Sequence, residues 1–281
     1  MFKLKSWQQA LCQIGLGLVA LFVIAPAWEM IYLAFDGGII GWPTSFRVWP
    51  QHFTLDVFGQ MWAQPAPSLS FLGALKNSLV VAGSAALLSV GLGASMAYAF
   101  ARYRFPGRQA GLFGLLVGTM LPPVALMTPL YILLTALHMR ATLLALVIVY
   151  TSFAMPFCIW NMRAAFQAVP RELEESAFLD GAGPLQAFWR ITLPLALPAM
   201  AVAALIAFLI AYSEFAMGWL FVQKSEEVTL AMSVLGQLAG NNLSWSRLAA
   251  LSVLMSAPVV AIFVILQKYV LSGLLIGAPS D

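Results

Sequence analysis

Six stretches of about 20 or more mostly apolar residues, near 12–35, 78–101, 110–137, 141–162, 195–222 and 248–271, are long enough to cross a bilayer core. Hydrocarbon offers no water to an unpaired N–H or C=O, so a spanning segment must be a helix or belong to a closed barrel. The alternating pattern of barrel strands is absent. The chain therefore reads as an all-α transmembrane protein, a six-helix bundle. Its 281 residues are 62% hydrophobic and 9% charged, with a mean hydropathy of +0.89, which excludes an ordinary soluble domain. Pro122, Pro123 and Pro156 fall inside spans and are expected to kink them.

With six spans both termini share one side. That side collects Lys3, Lys5, Arg102, Arg104, Arg108, Arg163, Arg171, Arg190 and Lys268, nine cations, against five on the other (Arg47, Lys76, Arg140, Lys224 and Arg247). The positive-inside rule then places both termini in the cytoplasm of a cell whose inner membrane the chain crosses. Lys3 and Lys5 ahead of an apolar run that reaches Ala25-Pro26-Ala27 mimic a cleavable leader, but the run continues through Met30, Ile31, Leu33 and Phe35, as a retained first helix would. The expected organisation is a first helix and outer loop over 1–73, a membrane domain over 74–275 with a folded loop at 164–194, and a short tail at 276–281.

No basic stripe suggests nucleic acid, and Cys12 and Cys158 lie in separate apolar runs without the spacing of a disulfide framework or a metal site. No G-x-x-x-x-G-K-[ST] is present, so the chain lacks a P-loop for ATP. An intramembrane hydrolase is excluded by the absence of G-x-S-x-G and by the position of His52 and His138 in outer loops. This chain is not an enzyme by its own motifs, and no cofactor or metal is expected in it.

The loop between the fourth and fifth spans is the polar exception. Pro170 followed by Glu172, Glu174 and Glu175 reads as a helix start, and Gly181 after Asp180 reads as its left-handed stop. Pro184 restarts a helix in which Leu185, Phe188 and Trp189 form an apolar face before Ile191-Thr192-Leu193-Pro194. An amphipathic element lying on the membrane is one reading, but its first helix is acidic where the inner leaflet favours Lys and Arg. A protein partner suits it better.

The segment EESAFLDGAGPLQAFWRITLP resembles the EAA loop of ABC importer permeases: Glu-Ala-Ala, three residues, Gly, nine residues, Ile-x-Leu-Pro. Glu175, Ala177, Gly181, Ile191, Leu193 and Pro194 match, with Ser176 in place of an alanine. NSLVVAG, AYAFARYRFPGR, AYSEF and LQKYVLSGL extend the likeness to carbohydrate importer permeases, and TLAMSVL and NNLSW to their maltose-type branch. The resemblance implies the type I importer permease fold and a docking role for Glu174, Glu175, Ala177, Asp180 and Gly181. It implies two cytoplasmic ATP-binding subunits carrying ATP and Mg, a companion permease and an extracytoplasmic sugar-binding protein as partners. The implied cargo is maltose, maltodextrin, trehalose or a similar oligosaccharide.

Glu214 is expected about eight residues into the fifth span, roughly 12 Å deep at 1.5 Å per residue. A charge facing lipid there costs about 2.5–3.5 kcal/mol, so it should face a cavity or a partner. It either lines a translocation path with Tyr212 and Ser213 or is protonated or tied to a neighbouring subunit; its position in the family favours the path. A proton-coupled secondary carrier using Glu214 is the alternative function. Asn241 and Asn242 in the outer stretch 238–246 either meet the binding protein or belong to a plain connector. Gly91 and Gly93, with Ala94, Ser95 and Ala97, should give the second span a face for close helix packing.

Overall fold

The computed structural model describes residues 5–37, 39, 49–239 and 244–275. Among them there is no strand, only two isolated bridges, and four helices are long and apolar enough to cross a membrane, or six if each of two bent pairs is one span. The fold is all-α and transmembrane.

Two compact units are present, and they do not divide the chain at residue 73. One contains the described residues up to Pro65 together with Val234–Ser256. Its first helix, α1 (Ser6–Phe35), buries only Tyr32, Leu33 and Ala34 near its C-terminal end and leaves the rest of its apolar surface exposed, as a lipid-facing helix does. Phe35 stacks on Phe53 and packs against Phe58, the latter on the short α2 (Asp56–Ala63). Gln237 donates to the Pro65 carbonyl at 2.9 Å, which fastens α12 (Leu230–Ala239) to the end of this segment.

The other unit, Ala66–Ser233 with the described residues from Ala257, is built on three helices: α3 (Phe71–Arg102), α6 (Leu143–Ala168) and α10 (Leu197–Ser213). Small residues let α3 and α6 approach closely. Gly93, Ala94 and Ala97 are buried, and a Cβ on Gly93 would lie 3.1 Å from the Met162 methyl and 3.5 Å from Cys158. Gly91 and Ser95 face outward instead, because the helical period puts them on the opposite side of α3 from Gly93. Ser89 donates to the Thr151 carbonyl across the same contact. Toward the other end of α3, Asn77 donates to the Glu226 and Val228 carbonyls, and the Ser78 hydroxyl accepts from Leu230 N–H at 2.8 Å.

The third span departs from a straight helix. α4 (Arg108–Met120) stops before Pro122-Pro123, and after a 3-10 turn α5 (Met127–Ala136) leaves at 99°. Two successive prolines remove two N–H donors and push the residue ahead of each out of helical geometry, so the chain turns here and does not merely kink. Pro156 acts differently: α6 continues through it without interruption. The fifth span is also shorter than its apolar run, since α10 ends at Ser213 and a separate α11 (Ala216–Phe221) follows.

The Gly93 contact yields a prediction. Gly93→Val forces added methyls against Met162 and Ile159 and should lower stability by about 1–3 kcal/mol. Gly91→Val, whose Cβ meets nothing, should be close to neutral. Thermal unfolding of the two variants in detergent micelles measures the difference.

Candidate functional site

After α6 the chain turns at Val169-Pro170 into α7 (Arg171–Leu179), whose first turn carries Glu172 and Glu174, where carboxylates complement the helix dipole. Pro170 is the N-cap and not the first helical residue. The helix ends in a Schellman arrangement: Gly181 has φ +85°, its N–H reaches the Phe178 carbonyl, and Ala182 N–H reaches Ala177. The left-handed stop expected at Gly181 is therefore present. α8 (Pro184–Ala187) follows, then a π turn over Phe188–Thr192, a short α9 (Leu193–Leu195), and a 75° bend into α10.

This loop has an outer face and an inner anchor. Outward lie Glu175, Asp180 and Gly181, with Leu179 90% exposed and Leu185 and Trp189 exposed beside them; Ala177 is half-buried. Phe188, expected on the same apolar face as Leu185 and Trp189, is instead buried and packs on Tyr98 and Phe166. Glu174 also faces inward, 5% exposed. Its Oε1 accepts from Arg102 Nε at 3.0 Å and from the Thr192 hydroxyl, while Arg102 Nη2 donates to the Val169 carbonyl at 2.9 Å. Of the five residues expected to meet a partner, Glu174 is thus buried and Ala177 half-buried, and only Glu175, Asp180 and Gly181 are exposed. Arg102 and Thr192 were visible in the sequence only as a cation near a span end and a residue of the loop motif. Their pairing with a residue 72 positions away from Arg102 left no local signal.

The second candidate region is the break between α10 and α11. Glu214 is extended (φ −77°, ψ 133°) at the end of α10, and its carboxylate caps α11, accepting from Ala216 N–H at 2.8 Å and Met217 N–H at 3.1 Å. The Tyr150 hydroxyl donates to its other oxygen at 2.6 Å. Tyr212 is buried and stacked on Phe208, whereas Ser213 is exposed and its hydroxyl bonds back to the Leu209 carbonyl. Three neighbours in sequence thus differ in burial: Tyr212 is buried, Ser213 exposed and Glu214 half-buried. Asn241 and Asn242 lie outside the described residues.

The comparisons with known proteins give the family of this helical membrane chain. Residues 89–275 match the family described as "Binding-protein-dependent transport system inner membrane component". The chain belongs to this family. Among relatives, it is 34% identical over 224 residues to the maltose/maltodextrin transport system permease protein MalG of Salmonella typhimurium, covering 78% of this chain and 75% of that one. It is 28% identical to the inner membrane ABC transporter permease protein YcjP of Escherichia coli K12, covering 94% and 93%. Among solved structures, a chain of a bacterial ABC transporter involved in the import of alginate superposes with a TM-score of 0.76 at 20% identity, over 96% of this chain and 99% of that one. A chain of the MetNI methionine ABC transporter gives 0.58 at 19% identity, over 72% and 95%. The fold is that of ABC importer permeases.

In this binding-protein-dependent permease the Glu214 cap predicts a measurable coupling. Glu214→Ala should cost about 1–2 kcal/mol by uncapping α11. Tyr150→Phe should add little in that background while costing about 1 kcal/mol alone. A double-mutant cycle on thermal unfolding in micelles reads the non-additivity.

Proposed function

We propose that the chain is the permease subunit of an ATP-driven, binding-protein-dependent sugar importer, and that 171–195 is the loop by which a separate ATPase drives it. The observation that carries this reading is the outer face of α7 and α8. Leu179, Leu185 and Trp189 stand exposed among Glu175 and Asp180 around a rigid glycine stop. Exposed aromatic and aliphatic side chains with a charged rim are the composition of a protein docking face. Two ATP-binding subunits carrying ATP and Mg, one beneath this permease and one beneath a companion permease, complete the proposed complex. Both termini and the docking loop lie in the cytoplasm in this proposal, which the cation asymmetry supports. On the opposite side an extracytoplasmic sugar-binding protein meets the 238–246 segment through Asn241 and Asn242.

The proposed cargo is an oligosaccharide of the maltose, maltodextrin or trehalose kind, supported by the likeness to MalG. Ser213 and Glu214, at the break after α10, are the part of the proposed path that reaches the surface. Glu214 already accepts from Tyr150 and two backbone N–H groups, which argues against its serving as the mobile proton site of a secondary carrier.

The test is reconstitution with the ATPases, companion permease and binding protein in proteoliposomes, with radiolabelled maltose as probe. Uptake should require internal ATP and resist a protonophore. Gly181→Val places a β-branched residue at φ +85°, at a cost of about 1–3 kcal/mol. This should distort the docking turn and reduce uptake at least about tenfold while the chain still inserts. Gly181→Asn, which tolerates that φ, should retain most uptake. ATP-independent, protonophore-sensitive uptake by the chain alone would overturn the proposal.

A further inference from the structure

The inner side of the docking loop is attached in an unusual way. Behind α7 lies a cavity of about 410 Å³ lined by Ala165, Val169, Leu173, Ala196 and Ala199, so apolar packing does not fill the space between α7, α6 and the start of α10. The connection is made instead by one polar joint. Arg102, the last residue of α3, and Glu174 have side chains only 7% exposed. A buried ion pair is a weak stabiliser compared with apolar groups of the same volume, but it demands one geometry, since a guanidinium and a carboxylate out of register are left unpaired and dry. Arg102 divides its donors between Glu174 Oε1 and the Val169 carbonyl, which fixes both the helix and the turn leading into it.

The third member explains the π turn. Leu193 N–H bonds to the Phe188 carbonyl, five residues back, so one extra residue is accommodated in the turn. With that phase the Thr192 hydroxyl reaches the same Glu174 oxygen that Arg102 uses. Tyr98, Phe166 and Phe188 form a buried aromatic cluster beside the joint, with ring centroids 4.7–6.1 Å apart.

We infer that Arg102 is a positioning residue for coupling: through Glu174 it clamps α7 to the end of α3, and Thr192 ties in the turn that leads to α10, so that displacement of α7 carries the ends of α3 and α10 with it as one body. This rests on the docking role proposed above for the outer face. The ATPase touches one surface of α7, and the joint on the other surface decides which spans follow.

The experiment places nitroxide labels at Leu92→Cys, on the exposed side of α3, and Gln186→Cys, exposed on α8, in a Cys12→Ser background; Cys158 is buried. Pulsed EPR distances are recorded for the full chain in nanodiscs, alone and in complex with the ATPases, with and without ATP plus vanadate. With the joint intact, one narrow distance is expected in every state. Arg102→Gln and Thr192→Val should each broaden the distribution by about twofold or more, while ATPase co-purification and basal hydrolysis persist. Arg102→Lys, which keeps the charge but not the planar fork, should fall between. Thr192→Val removes a single hydroxyl and keeps the test informative where Arg102→Gln does not fold. Unchanged narrow distributions in both variants, or a wild-type distance that shifts on ATP plus vanadate, would overturn the inference. Failure of the unsubstituted chain to bind the ATPases would refute the docking role, and the measurements on the chain alone would still judge the joint.

Discussion

Close approach of α3 to α6 is the contact on which the remaining geometry depends. In lipid, two apolar helices gain little from merely meeting, because the tails around them are as apolar as their side chains, so association relies on fit. Gly93, Ala94 and Ala97 supply that fit against Met162, Cys158 and Ile159. The register then propagates. Arg102 lies nine residues beyond Gly93, roughly 13.5 Å along the axis, and a slip of one residue would move its guanidinium about 1.5 Å and turn it about 100°. Neither the Val169 carbonyl nor Glu174 would then be within reach.

The outer half of the 171–195 loop and its inner half obey different physics. Outward, exposed apolar groups and carboxylates are free to meet another surface. Inward, the attachment is polar, narrow and flanked by a cavity. A loop fixed at one small joint hands its displacement to the elements that meet there, the end of α3 and the turn into α10, whereas a loop packed along its whole length would spread it over a core. The same economy recurs at Glu214, where one carboxylate closes two orphan N–H groups of α11 and receives a hydroxyl from α6.

Much of this was readable in the residues themselves. Helical, membrane-spanning character followed from apolar length, and the glycine stop of α7 from Asp180-Gly181. Phase and partners were not readable. Phe188 shares an apolar face with Leu185 and Trp189 on a period of 3.6, yet it is buried while those two are exposed, and no residue type announces the π turn that follows it. Glu174 looked like one more acid of an acidic helix until Arg102, far away in the chain, was brought beside it. Glu214 was placed within a continuous span because the apolar run continues to Val222, and hydropathy does not register a break whose backbone groups are capped by a side chain. Periodicity detects a helix; it does not detect where a helix changes its winding or ends among apolar neighbours.

The winding of residues 188–192 has a consequence for how this loop can vary. Each residue of an α-helix advances the chain by about 100°, and the π turn absorbs one residue that an α-helix would have used to advance the next turn. Removing one residue from within 188–192 would let the turn relax to ordinary winding and leave the helix beyond it in phase. Inserting a further residue would exceed what one π turn absorbs and rotate everything after it, the hydroxyl of Thr192 included, by about 100°. Side chains on the outer face are free of this constraint. The loop is therefore tolerant of a change of length in one direction and not in the other, and its residue count carries structural information beside its composition.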